Sequence, residues 1–389
     1  MTDVENVRNS NFELLRIISM LFIIIFHLIM HLCSIHSYEM SPFIYILLRF
    51  ILAITLVHVS SFVIVTGYFQ CKKKMRLSKV ISINNATWFY SVVFLVIALI
   101  LTRHFNVDLA YPITNLDIFK TLIPLDYGLY WYIGCYLVLY LISPILNIVI
   151  DNCDKKTLLK IIISLFVIFS IIPTLTLDAT VYTKEGHSVA NFILLYFIGA
   201  YLRNYPISKS TILSKITDKG KQLLYFIGFI GLAFCSVLFF AMSEQLGGAS
   251  SSEIVNYIAD VFFWFFNSFG SPILIIQTIF YFLFFSTLNI KSKVINFISS
   301  CTLGIYLIHE SIYVRDNLYG FLEYFNVSNM TLKTIGLILL TAIAIFIISM
   351  IIEILRQKLF VFIYKRKISG KFRNWYRSYF KKLGFDINW

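Results

Sequence analysis

Two residues of the first apolar stretch have the types and spacing for chemistry. In ELLRIISMLFIIIFHLIMHLCSI, residues 13–35, Arg16 and His27 stand ten residues apart. On a helix those eleven steps return to within about 20° of the start, with about 16 Å of rise between the two side chains. Glu13 and His31 lie about 60° round from Arg16, and Ser34 comes back onto its line. One helix face is thus a polar track running from one membrane face to mid-depth. An imidazole can take a proton from a hydroxyl that is about to attack an acyl carbon. A guanidinium can pair with a phosphate or with a developing oxyanion, and Glu13, one turn earlier, can hold it in place. Ionisable groups are expensive in a bilayer and mark functional sites by default. The plainer alternative is interhelical hydrogen bonding with a snorkelling arginine.

Other residues could join this pair. TLGIYLIHESIYVR, residues 302–315, carries His309, Glu310 and Arg315. On an unbroken helix His309 and Glu310 diverge by about 100° and do not face one another, though either can line a cavity shared with the first helix. KKKMRLSK, residues 72–79, offers Lys73 and Arg76 as phosphate partners. Trp131 and Tyr132 follow a loop at 102–127 and suit either an interfacial aromatic belt or a platform for sugar rings. His58, beside Ser60 and Ser61, is a weaker candidate. The six cysteines show no ligand spacing, so neither a metal site nor a disulfide framework is supported. No nucleotide-binding loop or nucleophile elbow occurs.

These residues need a membrane scaffold. Of 389 residues, 59% are hydrophobic and 14% charged, against about half and a quarter in a soluble domain. Apolar runs place ten spans, roughly 14–36, 46–69, 80–101, 128–150, 159–176, 189–203, 223–243, 266–288, 298–315 and 333–355, the sixth and ninth being short. The expected fold is all-α, a polytopic bundle of about ten transmembrane helices, with one membrane domain over 1–355 and a basic, aromatic tail over 356–389. With the amino terminus in the cytoplasm, 26 Lys and Arg fall in inner segments and five in outer ones. That split predicts cytoplasmic termini. It also accounts for the net charge of +13 without nucleic acid. Two glycine-bearing stretches, SSFVIVTGYFQ and LYFIGAYLRN, suit close helix packing better than ligand approach.

Taken together, five stretches resemble the bacterial acyltransferase family 3 membrane proteins, in family order: FELLRIISMLFIIIFH, FVIVTGYF, YWYIGCYLVLYLISPILN, LLYFIGAYLRN and SSCTLGIYLIH. The resemblance implies a multi-pass O-acyltransferase of the bacterial cell membrane. Its donor would be cytoplasmic acetyl-CoA, a substrate rather than a resident cofactor. Its acceptor would be a hydroxyl of a surface glycan such as capsule or exopolysaccharide, or of a lipid-linked oligosaccharide precursor. Arg16 and His27 would be the essential pair, with Glu13, Lys73 and Arg76 toward the donor and Trp131, Tyr132, His309 and Arg315 toward the acceptor. The family often carries paired arginines in the loop where this chain has Lys73 and Arg76, and lysine is the poorer bidentate phosphate partner. Direct transfer and an acetyl-histidine relay both fit, as does a homo-oligomer. A glycan exporter lined by the same polar track is the reading from another class.

Overall fold

The computed structural model describes residues 9–32, 39–109, 113–123, 130–177, 184–207, 213–247, 252–323 and 329–365. Ser34 and the tail beyond 365 lie outside them. In chain order the helices are α1 (Ser10–Leu32), α2 (Pro42–Thr55), α3 (His58–Gln70), α4 (Leu77–His104), α5 (Asn115–Leu122), α6 (Trp131–Asn152), α7 (Lys155–Phe166), α8 (Ile172–Thr176), α9 (Val189–Asn204), α10 (Asp218–Gly247), α11 (Glu253–Asn267), α12 (Pro272–Ser286), α13 (Lys293–Ser299), α14 (Thr302–His309), α15 (Ile312–Glu323) and α16 (Leu332–Lys365). Beside them is one two-residue parallel bridge, Glu39–Met40 with Asn329–Met330.

Eight helical stretches among the described residues are long and apolar enough to cross a membrane: Ser10–His31, Pro42–Gln70, Leu77–His104, Trp131–Asn152, Lys155–Thr176, Asp218–Gly247, Glu253–Ser286 and Leu332–Phe362. Two shorter apolar stretches, Val189–Asn204 and Lys293–His309, coincide with the sixth and ninth expected spans. The protein is an all-α, multi-pass membrane bundle.

Several boundaries follow from local chemistry. Ser41 caps α2 by accepting from the Ile44 N–H, with Pro42 where a missing donor costs nothing. Thr114 and Asp117 form a reciprocal capping box that starts α5 inside the long loop. Asp154 caps α7, and the hydrogen bonds from Thr157 hold its carboxyl below the usual carboxylate range. Pro144 sits inside α6 and cannot donate to the Tyr140 carbonyl. The Ser143 hydroxyl fills that role at 2.7 Å, as buried backbone in lipid demands.

Packing fixes the frame around α1. The two glycine stretches meet: a Cβ on Gly67 of α3 would lie 2.2 Å from the Tyr196 carbonyl oxygen, and one on Gly199 of α9 would lie 2.2 Å from that of Ile64. Backbone therefore rests on backbone, as small residues permit in membranes. Gly304 of α14 leaves room for the Glu353 carboxylate of α16. That buried carboxylate takes the Tyr90 hydroxyl of α4 at 2.6 Å and two Arg356 nitrogens at 2.7 Å. Arg49, an in-span charge of α2, lies 3.9 Å over the Phe240 ring and donates to Tyr45, which bonds Glu244.

Three transits are interrupted. α2 gives way to α3 at Leu56 and Val57, α11 to α12 at residues 268–271, and α14 to α15 at Glu310 and Ser311. The expected ninth span therefore does not run unbroken to residue 315. Non-helical backbone within a bilayer persists where it is buried in protein or lines a cavity.

Candidate active site

A cavity of about 1090 Å³ runs through the bundle beside α1. It exceeds the usual range for a single small ligand. All three interruptions feed it, through His58 at the start of α3, Phe269 between α11 and α12, and Glu310 after α14.

One end is basic. Lys73, Lys74, Arg76 and Arg203 are exposed at its mouth, with Lys79 further in. Tyrosines position this end. Lys79 Nζ donates to Tyr136 Oη at 2.7 Å and lies 4.5 Å over the Tyr140 ring, and the Arg76 backbone N–H donates to Tyr140 Oη at 3.1 Å. Just inside, Arg16 Nη1 reaches both Glu13 oxygens, at 2.9 and 3.0 Å. Ser299 donates to Glu13 Oε2 at 2.5 Å, and Glu13 is buried. Only one guanidinium nitrogen is committed to Glu13, so the others can meet an anion in the cavity.

His27 lies seventeen residues into the 23-residue α1. That is about 26 Å from its start, past the middle of the helix rather than at it. Its Nδ1 is 2.7 Å from Glu310 Oε1, with side-chain exposures of 20% and 12%. The approach is off hydrogen-bond geometry, a looseness that ligand-free catalytic pairs commonly show. The contact exists because α14 stops at His309. Glu310 is its C-cap residue, tied through its N–H to the Tyr306 carbonyl. Released from helical spacing, the carboxylate turns back to lie 3.8 Å from His309 Nε2 and 4.0 Å from Arg315. The expectation that His309 and Glu310 do not face one another fails for this reason.

The far end is aromatic. Trp131 and Tyr132 line the cavity, and the His187 ring packs 4.5 Å from both Trp131 and Phe269. Burial lowers the His187 pKa from its ordinary value, which keeps it neutral near pH 7.

The cavity thus brings together Glu13, Arg16, His27, Lys73, Arg76, Trp131 and Tyr132. His309, 1% exposed, sits behind His27 with ring centroids 5.8 Å apart, and neither it nor Arg315 lines the cavity. His31, at the end of α1, has its ring 6.3 Å from that of His27. Sequence reasoning passed over Glu310 as a partner of His27, and over Arg203 and His187. The signal for Glu310 was its place beside His309 in an apolar run, where a carboxylate is costly.

Fold and site combine a multi-pass membrane bundle with a cavity that has exposed cations at one end and a histidine–carboxylate pair deeper in. A model of the acyltransferase domain family matches residues 9–354, and the chain belongs to that family. It is a membrane acyltransferase. No curated protein and no solved structure matches it.

Proposed function

We propose that this protein is an O-acetyltransferase of the bacterial cell membrane. It moves acetyl from cytoplasmic acetyl-CoA to a hydroxyl of a surface polysaccharide or its lipid-linked precursor. The observation that carries the reading is that one cavity joins a basic mouth to the His27–Glu310 pair and then to an aromatic end. The distribution of Lys and Arg supports a cytoplasmic mouth.

In the mechanism, the CoA phosphates rest among Arg16, Lys73, Arg76 and Lys79, and the pantetheine arm carries the thioester inward to His27. The acceptor enters past Trp131, Tyr132 and His187, rings that suit a sugar face. Glu310 takes the Nδ1–H of His27, leaving the Nε2 lone pair as base. Nε2 removes the acceptor proton as the hydroxyl oxygen attacks the thioester carbonyl. The C–S bond breaks, and the CoA thiolate recovers that proton from the imidazolium. Both substrates share one cavity, which supports direct transfer.

The test is His27→Ala, purified and supplied with labelled acetyl-CoA and an acceptor glycan. Folding in the membrane is retained and acetylation falls to background. Full transfer by that variant refutes the assignment. Glycan NMR spectra from strains with and without the protein identify the acyl group and its position.

A further inference from the structure

Three buried polar atoms lie together: His27 Nδ1 and Glu310 Oε1, 2.7 Å apart but off hydrogen-bond geometry, and His309 Nε2, which makes no hydrogen bond among the described residues and lies 3.8 Å from Glu310 Oε1. Each of the three residues offers one ligand atom within 4.8 Å of those of the others. An orphaned polar atom such as His309 Nε2 is costly inside a membrane bundle, and with the adjacent pair it converges into a ligand set. Two imidazoles and a carboxylate make up the protein ligands of one common type of catalytic zinc site, which leaves a fourth position open. His309 is already held as such ligands are. Its Nδ1 lies 2.7 Å from the Ile305 carbonyl, which takes the Nδ1 proton and leaves the Nε2 lone pair on the Glu310 side. Glu310 is anchored by its backbone at the end of α14. Arg315, the nearby cation, is 4.0 Å from the other carboxylate oxygen, Oε2. Metal bonds of about 2.0–2.2 Å require adjustments of roughly 1 Å, within reach of side-chain rotation.

We propose that His27, His309 and Glu310 form a binding site for a divalent ion of the zinc class, and that its occupation switches the enzyme off. The inhibitory half rests on the acyl-transfer reading of His27. With Glu310 accepting from Nδ1, the base is Nε2. A metal on Nδ1 displaces that proton, and the neutral ring then carries its hydrogen on Nε2, the position that must accept. The ion leaves the donor mouth untouched, so it acts on turnover and not on acetyl-CoA binding.

The experiment uses the full chain in detergent, with Zn²⁺ followed by calorimetry and Co²⁺ as the spectroscopic probe. His309→Gln keeps a donor for the Ile305 carbonyl, and Glu310→Gln is the second variant. Gel filtration and thermal melting check that both are folded. The wild type binds one Zn²⁺ that both variants bind at least about tenfold more weakly. The matching Co²⁺ spectrum lacks a thiolate charge-transfer band and is lost in both variants. The Zn²⁺ concentration giving half inhibition rises at least about tenfold in His309→Gln, whatever its basal rate. Wild-type Zn²⁺ affinity in both variants, or a thiolate band, overturns the site. Equal Zn²⁺ inhibition of wild type and His309→Gln overturns the switch. The binding measurement needs no acyl donor, so it stands or falls apart from acetyl transfer: a His27→Ala enzyme that still acetylates would remove the acyl-transfer reading and leave the ion site in place.

Discussion

Replacing Glu310 by Gln tests the acid–base pair most directly, because it keeps side-chain size and removes one charge. In the transition state His27 becomes an imidazolium, and the carboxylate 2.7 Å away then attracts it. At an effective dielectric of ~20 that attraction is about 6 kcal/mol. With the side chains 20% and 12% exposed, water and the new amide dipole restore part of it. About 3–4 kcal/mol is lost, similar to removal of one oxyanion-hole donor. The expected fall in kcat is roughly 10²- to 10³-fold. The KM for acetyl-CoA stays near its wild-type value, because the proposed phosphate site at Arg16 is about 16 Å away along α1. The assay is release of CoA thiol coupled to acceptor acetylation, in wild type, Glu310→Gln, His27→Ala and the double variant. Residues acting as one unit are non-additive, so the double variant matches His27→Ala. A Glu310→Gln kcat within about threefold of wild type, or a double-variant loss equal to the product of the single losses, refutes the pairing.

Arg16→Lys keeps a cation against Glu13 but loses the planar fork. The KM for acetyl-CoA rises about tenfold with kcat little changed, the mark of lost ground-state binding. Gly67→Ala places a carbon 2.2 Å from the Tyr196 carbonyl oxygen, so α3 and α9 must separate. The melting temperature in detergent falls, corresponding to about 1–3 kcal/mol, whereas an unchanged melt would mean the two helices are not in backbone contact.

The spans were legible because about 20 apolar residues is a length only a bilayer asks for. Arg16 and His27 were legible for the converse reason, since such residues in lipid stand out by their cost. Gly67 and Gly199 were read correctly as packing residues, although not as partners of each other. The interruptions were hidden. LLRFILAITLVHVSSF carries neither Gly nor Pro, and nothing in its pattern marks the stop at Leu56 and Val57. Glu310 was misplaced by assuming helical spacing through a residue where the helix ends. Glu353 and Tyr90, 263 residues apart, meet only through tertiary packing.

The interrupted transits give the cavity an electrical character of its own. α3 and α12 begin beside it, and α14 ends beside it at His309. The N–H groups and carbonyls at helix ends carry fixed partial charges. Buried among apolar side chains, they are reached poorly by dissolved ions. The basic mouth, with Lys73, Lys74, Arg76 and Arg203 in solvent, lies in reach of salt, which screens charges over about 8 Å at physiological strength. The two ends therefore respond differently to ionic strength. Added salt raises the KM for acetyl-CoA and leaves kcat unchanged, and a kcat that tracked salt would place the reacting groups in bulk water.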